Sequence, residues 1–120
     1  MILLNFGQKL HDLQFDQINS LTSLKITEQI MLPFDSSSEE DIHKKLEMMF
    51  AKVKLTDEEL QQDRVVILLP QHTIPALKVI GDIYQRTGSF PFVLRISIPM
   101  FGMTLRPEIM EVLDLQEIFK

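Results

Sequence analysis

Positions 65–69 hold five consecutive apolar residues, Val-Val-Ile-Leu-Leu, and this run constrains the fold more than any other stretch of the chain. A strand with one face in water alternates apolar and polar residues, and this run does not alternate. We therefore predict a strand covered on both faces, in the centre of a parallel sheet. The segment 70–73 follows directly, with Thr73 as the predicted N-cap of a helix that has Pro75 in its first turn. Such a strand-to-helix turn lies at the carboxyl end of the sheet, where open α/β sheets bind ligands.

The size and charge of the chain narrow the classes of protein to which it can belong. Its 120 residues, 45% of them hydrophobic, suit one compact domain that spans positions 1–120. The absence of cysteine from the sequence excludes disulfide bonds and thiolate zinc sites. With no apolar run long enough to span a bilayer and no signal-like start, we expect a cytoplasmic protein without a membrane partner. A net charge of -5 argues against binding to long nucleic acid, which requires many cationic contacts to phosphate.

Apolar periodicity and turn signals predict strands and helices in the order β-α-β-α-β-α-β-β. The predicted strands are 2–6, 24–32, 65–69, 90–98 and 109–115, and the predicted helices are 12–22, 38–53 and 74–86. The segment 99–107 is rich in turn residues and too short for a crossover helix, so the last strand should return antiparallel. Right-handed crossovers then give a Rossmann-like α/β fold: an open, mostly parallel sheet in the order 2-1-3-4-5, with helices on both faces.

Each predicted helix has apolar residues at helical spacing that should face the sheet. Asp12 is the predicted N-cap of the first helix, and Gly88 is the predicted C-terminal stop of the third. The second strand is more polar than the others and should lie at the sheet edge. The residues predicted to face the core are Phe15, Ile18 and Leu21 in the first helix, Ile42, Leu46, Met49, Phe50 and Val53 around the second, and Ile74, Leu77, Ile80 and Tyr84 in the third.

The loops that follow the strands should meet at the carboxyl edge of the sheet. Their polar side chains are amides, imidazoles, a hydroxyl and cations, with almost no carboxylates. This chemistry favours phosphate oxygens and base edges over a divalent metal, so we expect no metal and no cofactor. The predicted ligand-binding residues are Asn5, Phe6, Gly7, Gln8, Lys9, Pro70, Gln71, His72, Thr73 and Arg95, with His11 and Arg106 as further polar candidates.

Two of these side chains have a structural interpretation beside the functional one. His72, ahead of a helix N-terminus, is either a solvated loop residue or a general acid or base. Arg95 lies in an apolar strand and needs a partner there, for which Asp114 is the predicted residue. The sequence has no G-x-G-x-x-G, Walker, H-E-x-x-H or serine nucleophile motif, so the strong catalytic signatures are missing from it.

Five segments taken together resemble a known family. They are Ile-Leu-Leu-Asn-Phe at 2–6, the helical segment 10–21, the Leu-Pro pair that ends the central strand, Phe-Pro-Phe-Val-Leu-Arg at 90–95 and Glu-Val-Leu-Asp-Leu-Gln at 111–116. Their order and spacing resemble the small CRISPR-associated proteins of the Csx-fifteen family over nearly the whole chain. Relatives in that family tend to read Ser-His after the first Asn-Phe, where this chain has Gly7 and Gln8.

The resemblance implies an ancillary protein of type III CRISPR antiviral defence, a homodimer with a Rossmann-like, CARF-like fold. It also implies a cyclic oligoadenylate ligand, with cyclic tetra-adenylate as the expected ring. Such a ring has approximate two-fold symmetry and would match a C2 dimer that offers the same loops twice. In this interpretation the protein is a sponge that binds the messenger reversibly and damps the downstream effectors.

Two alternatives from other classes stay open. In a ring nuclease, His72 or His11 would be the acid or base for attack of a ribose 2′-hydroxyl, and Lys9 would stabilise charge. The absent Ser-His pair weakens that alternative, and we predict binding without efficient turnover. The third possibility is a protein interaction module that has no small ligand.

Overall fold

The computed structural model describes residues 1–23, 25–32, 42–61, 64–97 and 108–119. These residues form five strands and four helices, which alternate from β1 to β4 before β5 and a short last helix. The elements are β1 (Ile2–Asn5), α1 (Asp12–Leu21), β2 (Glu28–Met31), α2 (Ile42–Lys52), β3 (Val65–Leu68), α3 (Thr73–Thr87), β4 (Phe92–Ser97), β5 (Glu108–Asp114) and α4 (Leu115–Ile118). In this part of the chain, no helix combines the length and the apolar character needed to cross a membrane.

The five strands form one sheet in the order β2-β1-β3-β4-β5. The pairs β1–β2, β1–β3 and β3–β4 are parallel, and β4–β5 is antiparallel. All four residues of β3 are buried, because β1 and β4 flank it and helices cover both of its faces. The prediction of an α/β protein with a mostly parallel sheet is therefore confirmed, as is the edge position of the polar strand β2.

Alternate residues of the inner strands enter two separate cores. On one face, Leu4 and Ile67 pack in a cluster with Leu46 of α2 and Val79 of α3. On the other face, Leu3, Val66 and Leu68 pack with Ile18 of α1 and with Leu94 of β4. Burial on both faces explains why positions 65–69 show no alternation in the sequence, and it fixes the sheet in the middle of the molecule.

The face of α3 that packs on the sheet differs from the predicted one. Pro75, Val79 and Ile83, spaced four residues apart, are the buried residues of this helix. Ile74, Leu77 and Tyr84, which were predicted to face inward, are exposed. The prediction was wrong because α3 has apolar residues on both sides, so periodicity alone does not say which side meets the core. Leu21 of α1 is likewise exposed, although Ile18 and the half-buried Phe15 face the sheet as expected.

The helix starts also differ from the prediction, whereas one helix end agrees with it. His11 and His72, not Asp12 and Thr73, occupy the N-cap positions of α1 and α3. Aspartate and threonine are the commoner caps, but each chain segment turns one residue earlier here. Gly88 ends α3 in the left-handed conformation with φ 77°, as predicted for a C-terminal stop.

Three further expectations concern the C-terminal half and the loops. β5 ends at Asp114, whose side chain accepts hydrogen bonds from the N–H groups of Gln116 and Glu117 and so caps α4, a helix that was not predicted.

The partner of Arg95 is Glu111, at 2.8 Å, and not Asp114. The predicted helix start at 38–41, the loop 33–38 and the crossing 99–107, with Arg106, lie outside the described residues.

Candidate functional site

A cavity of about 350 Å³ opens at the carboxyl ends of three adjacent parallel strands, β1, β3 and β4. In register, Asn5 of β1 pairs with Leu68 of β3, so these two strands end at the same level. The residues that line the cavity are Gly7, Gln8, Leu68, Leu69, Gln71, Leu94 and Ile96. The crevice outside the strand ends of an open α/β sheet is the usual place for a ligand, and its volume lies at the lower end of the range for small-molecule sites, roughly 300–1,000 Å³.

Asn5 shapes the loop on one side of the cavity. Its side chain is fully buried, and its Nδ2 donates to the Gln8 carbonyl at 2.8 Å and to Gln29 Oε1 at 2.7 Å. Its Oδ1 accepts from the backbone N–H of Gly7 at 2.8 Å. Asn5 was predicted to bind the ligand, yet these hydrogen bonds engage both ends of its amide and hold the turn that presents Gly7 and Gln8.

Gln29 of the edge strand β2 is a second positioning residue, and sequence reasoning did not identify it. Its Oε1 accepts from the Leu10 N–H at 3.0 Å, and its Nε2 donates to the Leu10 carbonyl at 3.0 Å. The same Oε1 accepts from Asn5, so one amide ties β2 to both ends of the loop. No sequence motif marks this contact, because it depends on the pairing of β1 with β2.

Gly7 leaves space at the wall of the cavity. A Cβ at this position would lie 3.4 Å from Leu68 Cδ2 and 3.7 Å from Asn5 Oδ1, which is close to ordinary van der Waals contact. The φ of Gly7 is not positive, so the backbone does not require glycine there. A small side chain at position 7 would narrow the cavity and would leave the loop intact.

The remaining predicted residues lie around the cavity without lining it. Lys9, His72 and Thr73 are exposed at the same edge of the sheet, as is His11. Pro70 is buried. Phe6 is also buried and packs against Phe50, with ring centroids 5.8 Å apart in the core under α2.

Arg95 lies away from the cavity. Leu94 and Ile96, its neighbours in β4, line the cavity, and alternation along the strand directs Arg95 to the opposite face of the sheet. There it forms its exposed ion pair with Glu111 in the facing position of β5. The structure thus brings Gly7, Gln8 and Gln71 of the predicted set together at the cavity.

The described lining and the described loops beside the cavity are neutral or basic, although the chain as a whole is acidic and Asp12 follows in the first turn of α1. None of the described lining residues is charged, and the described loops at 6–11 and 69–72 contain Lys9, His11 and His72 but no carboxylate. The N-termini of α1 and α3 face the same edge, and a capping box between His11 and Gln14 engages part of the backbone N–H groups of α1. Within the described ranges, no three His, Asp or Glu side chains cluster in a way that could hold a metal ion.

This arrangement can enclose a flat apolar group between leucine and isoleucine side chains while two glutamine amides meet its polar edge. One lysine and two helix N-termini at the rim can also stabilise a negatively charged group of the ligand. Comparisons with protein-family models, with curated proteins and with solved structures found no match to this chain.

Proposed function

We propose that this chain is a Rossmann-like protein of type III CRISPR defence that binds cyclic tetra-adenylate reversibly and lowers its free concentration, thereby damping the downstream effectors. The observation that supports this proposal most is the cavity at the ends of β1, β3 and β4, whose described lining residues include two glutamine amides and no carboxylate. The likeness of five sequence segments to the Csx-fifteen family supplies the class of ligand.

An adenine ring suits the lining of the cavity. Leu68, Leu94 and Ile96 offer apolar contact to the faces of a base. Gln8 and Gln71 each offer an amide, and a glutamine amide can donate to adenine N7 while it accepts from N6. A purine bound in this way would be distinguished from a pyrimidine by the spacing of those two groups.

The phosphates of the ring would lie at the rim of the cavity. Lys9 lies in the loop 6–11 beside the cavity, and the first turns of α1 and α3 lie at the same edge of the sheet. These donors stabilise negative charge without the carboxylates that a magnesium-dependent nucleotide site would use.

A homodimer completes the site in this proposal. A ring of four nucleotides is several times larger than one cavity of about 350 Å³. Two copies related by a two-fold axis would supply two such cavities and would match the symmetry of the ring.

The proposed activity is binding and not turnover. His72, the predicted general acid or base, is exposed and does not line the cavity, and its side chain makes no capping hydrogen bond that would orient it. A single acid–base residue typically contributes about 10²–10⁴-fold to a rate, and it must lie within hydrogen-bond reach of the proton that it moves.

Radiolabelled cyclic tetra-adenylate, incubated with a molar equivalent of protein, tests this function. We expect a retarded band on a native gel and intact ring on a denaturing gel after a long incubation. The variants Gln8→Ala and Gln71→Ala should each weaken binding at least tenfold, whereas Asn19→Ala, an exposed amide on α1, should not.

Three results would count against the proposal. Multiple-turnover formation of linear di-adenylate, abolished by His72→Ala, would indicate a ring nuclease. The absence of any retarded band would favour the interaction module. Full affinity in the double variant of Gln8 and Gln71 would show that the ligand binds elsewhere.

A further inference from the structure

The solvent side of α3 has an apolar stripe, which we define as Ile74, Leu77, Gly81 and Tyr84. Ile74, Leu77 and Tyr84 are 64%, 59% and 45% exposed, and Gly81 is exposed between them. The four positions are separated by three, four and three residues, which is the a/d spacing of a seam between two packed helices. None of the four positions of the stripe is charged. Lys78 and Asp82 lie on its flank and pair with each other at 2.7 Å.

Gly81 is not required by the packing of its own protomer. A Cβ at this position would meet nothing within 4 Å, and its φ is not positive. Glycine in a helix interior lowers helix stability relative to alanine, so this position loses stability without any gain inside the chain. A glycine in the middle of an apolar seam does allow a second helix backbone to approach closely.

The stripe continues into an aromatic cluster, which we define as Tyr84, Phe90 and Phe119. The rings of Tyr84 and Phe90 stack at 4.6 Å, and those of Phe90 and Phe119 lie 4.9 Å apart. Phe119 and its neighbour Ile118 are 59% and 55% exposed. With roughly 200 Å² for each large side chain and about half of it exposed, the stripe and cluster present on the order of 500 Å² of apolar surface. That area is enough for the apolar centre of a dimer interface, which buries about 800 Å² on each partner.

We propose that a second copy of this chain covers this surface, with the two α3 helices side by side and running in the same direction. In that arrangement Gly81 meets Gly81 of the second copy, and each aromatic cluster packs against its equivalent. An antiparallel pair centred on the stripe would instead place each cluster over the exposed, polar Gln71 and His72 of the other copy. The parallel pair therefore buries more apolar surface.

This inference deepens the dimer of the proposed function, but it rests on α3 and not on the ligand. The stripe begins at Ile74, one residue after α3 starts at the carboxyl edge of the sheet. Parallel packing consequently makes the two cavities open in the same direction, on either side of the two-fold axis.

Cysteine cross-linking tests the interface directly, because the sequence contains no native cysteine. In the parallel dimer two Ile74 positions are neighbours, so Ile74→Cys should form a covalent dimer on mild oxidation. In an antiparallel dimer the same positions are ten residues apart along the helix axis, about 15 Å, which is too far for a disulfide. Ser20→Cys, exposed on α1 across the sheet, is the matched control for random collision and should stay monomeric on a non-reducing gel.

Gly81→Leu tests the same interface without cross-linking. Leucine has a higher helix propensity than glycine, and a Cβ at this exposed position meets no atom of its own protomer within 4 Å, so the variant should fold. Its side chain would hold the two helices apart, and light scattering at micromolar concentration should show a dimer for the natural chain and a monomer for Gly81→Leu. The inference is overturned by a monomeric natural chain, by a dimeric Gly81→Leu variant, or by cross-linking at Ser20→Cys in place of Ile74→Cys. Loss of ligand binding with the Ile74→Cys cross-link intact would contradict the proposed function and leave this interface standing.

Discussion

Replacing Asn5 by alanine should destabilise the fold more than any substitution at an exposed position of the cavity. The side chain is fully buried and makes hydrogen bonds to Gln8, Gln29 and Gly7 at 2.8, 2.7 and 2.8 Å. At about 1 kcal/mol for each hydrogen bond, the three together correspond to a loss of about 3 kcal/mol in the free energy of unfolding. For a chain of this length, that loss should lower the melting temperature by roughly 10 °C.

Asn5→Asp is the more demanding version of the same test. The carboxylate can still accept from the Gly7 N–H, but its other oxygen would face two acceptors, the Gln8 carbonyl and Gln29 Oε1. Gln29 cannot turn its Nε2 towards position 5 without breaking both of its hydrogen bonds to Leu10. The aspartate variant should therefore be at least as unstable as the alanine variant at neutral pH, although the two side chains at position 5 have nearly the same shape.

Urea unfolding followed by circular dichroism measures both losses, with Asn19→Ala as the exposed amide control. The control should change the free energy of unfolding by less than about 0.5 kcal/mol. A loss below about 1 kcal/mol for Asn5→Ala, or an aspartate variant more stable than the alanine variant, would refute the idea that this amide holds the loop.

Three further substitutions test individual contacts. Asp114→Ala removes the acceptor for two N–H groups at the start of α4 and should cost about 1 kcal/mol in urea unfolding, which Asp114→Asn should largely restore. Gly88→Ala places a Cβ on a residue with φ 77° and should cost about 1 kcal/mol; no loss would mean that the end of α3 can rearrange. Arg95→Ala breaks an exposed ion pair and should cost less than about 1 kcal/mol, so a larger thermal shift would contradict its exposed position.

The central strand was predictable from sequence because burial on both faces leaves a direct trace. Positions 65–69 do not alternate, and a strand between two neighbours with a helix layer on each side has no wet face to require alternation. The location of the cavity followed from the same strand, since chain connectivity alone sends the loops after β1 and β3 to one edge. Gly7, Gln8 and Gln71 were named from that reasoning, and all three line the cavity.

The orientation of α3 could not be obtained in this way. Ile74, Leu77 and Tyr84 form as good an apolar stripe as Pro75, Val79 and Ile83 do, and only the packing against α2 and the sheet distinguishes them. If a second copy covers the outer stripe, both faces of α3 are buried in the assembled protein. A pattern that is ambiguous for one protomer is then the expected pattern for a helix between two partners.

The role of Gln29 could not be predicted from the sequence either. Its side-chain amide makes hydrogen bonds to residues 19 and 24 positions away in the sequence. These contacts depend on the pairing of β1 with β2 and not on neighbouring residues in the chain. Arg95 is a similar case, because both Glu111 and Asp114 lie in the next strand and only the register, Arg95 opposite Glu111, selects the partner.

The Gln29 contacts have a consequence for motion. Gly7 and Leu10 belong to a loop, yet their N–H groups donate to Asn5 and Gln29, two side chains that are anchored in neighbouring strands. The amide hydrogen of Leu10 should therefore exchange with solvent when β2 separates from β1, at the slow rate of the sheet, and that of Gly7 when the buried Asn5 side chain leaves its place. The wall of the cavity would then open together with the sheet edge, and we expect the separation of β1 and β2 to limit the rate of ligand entry and release.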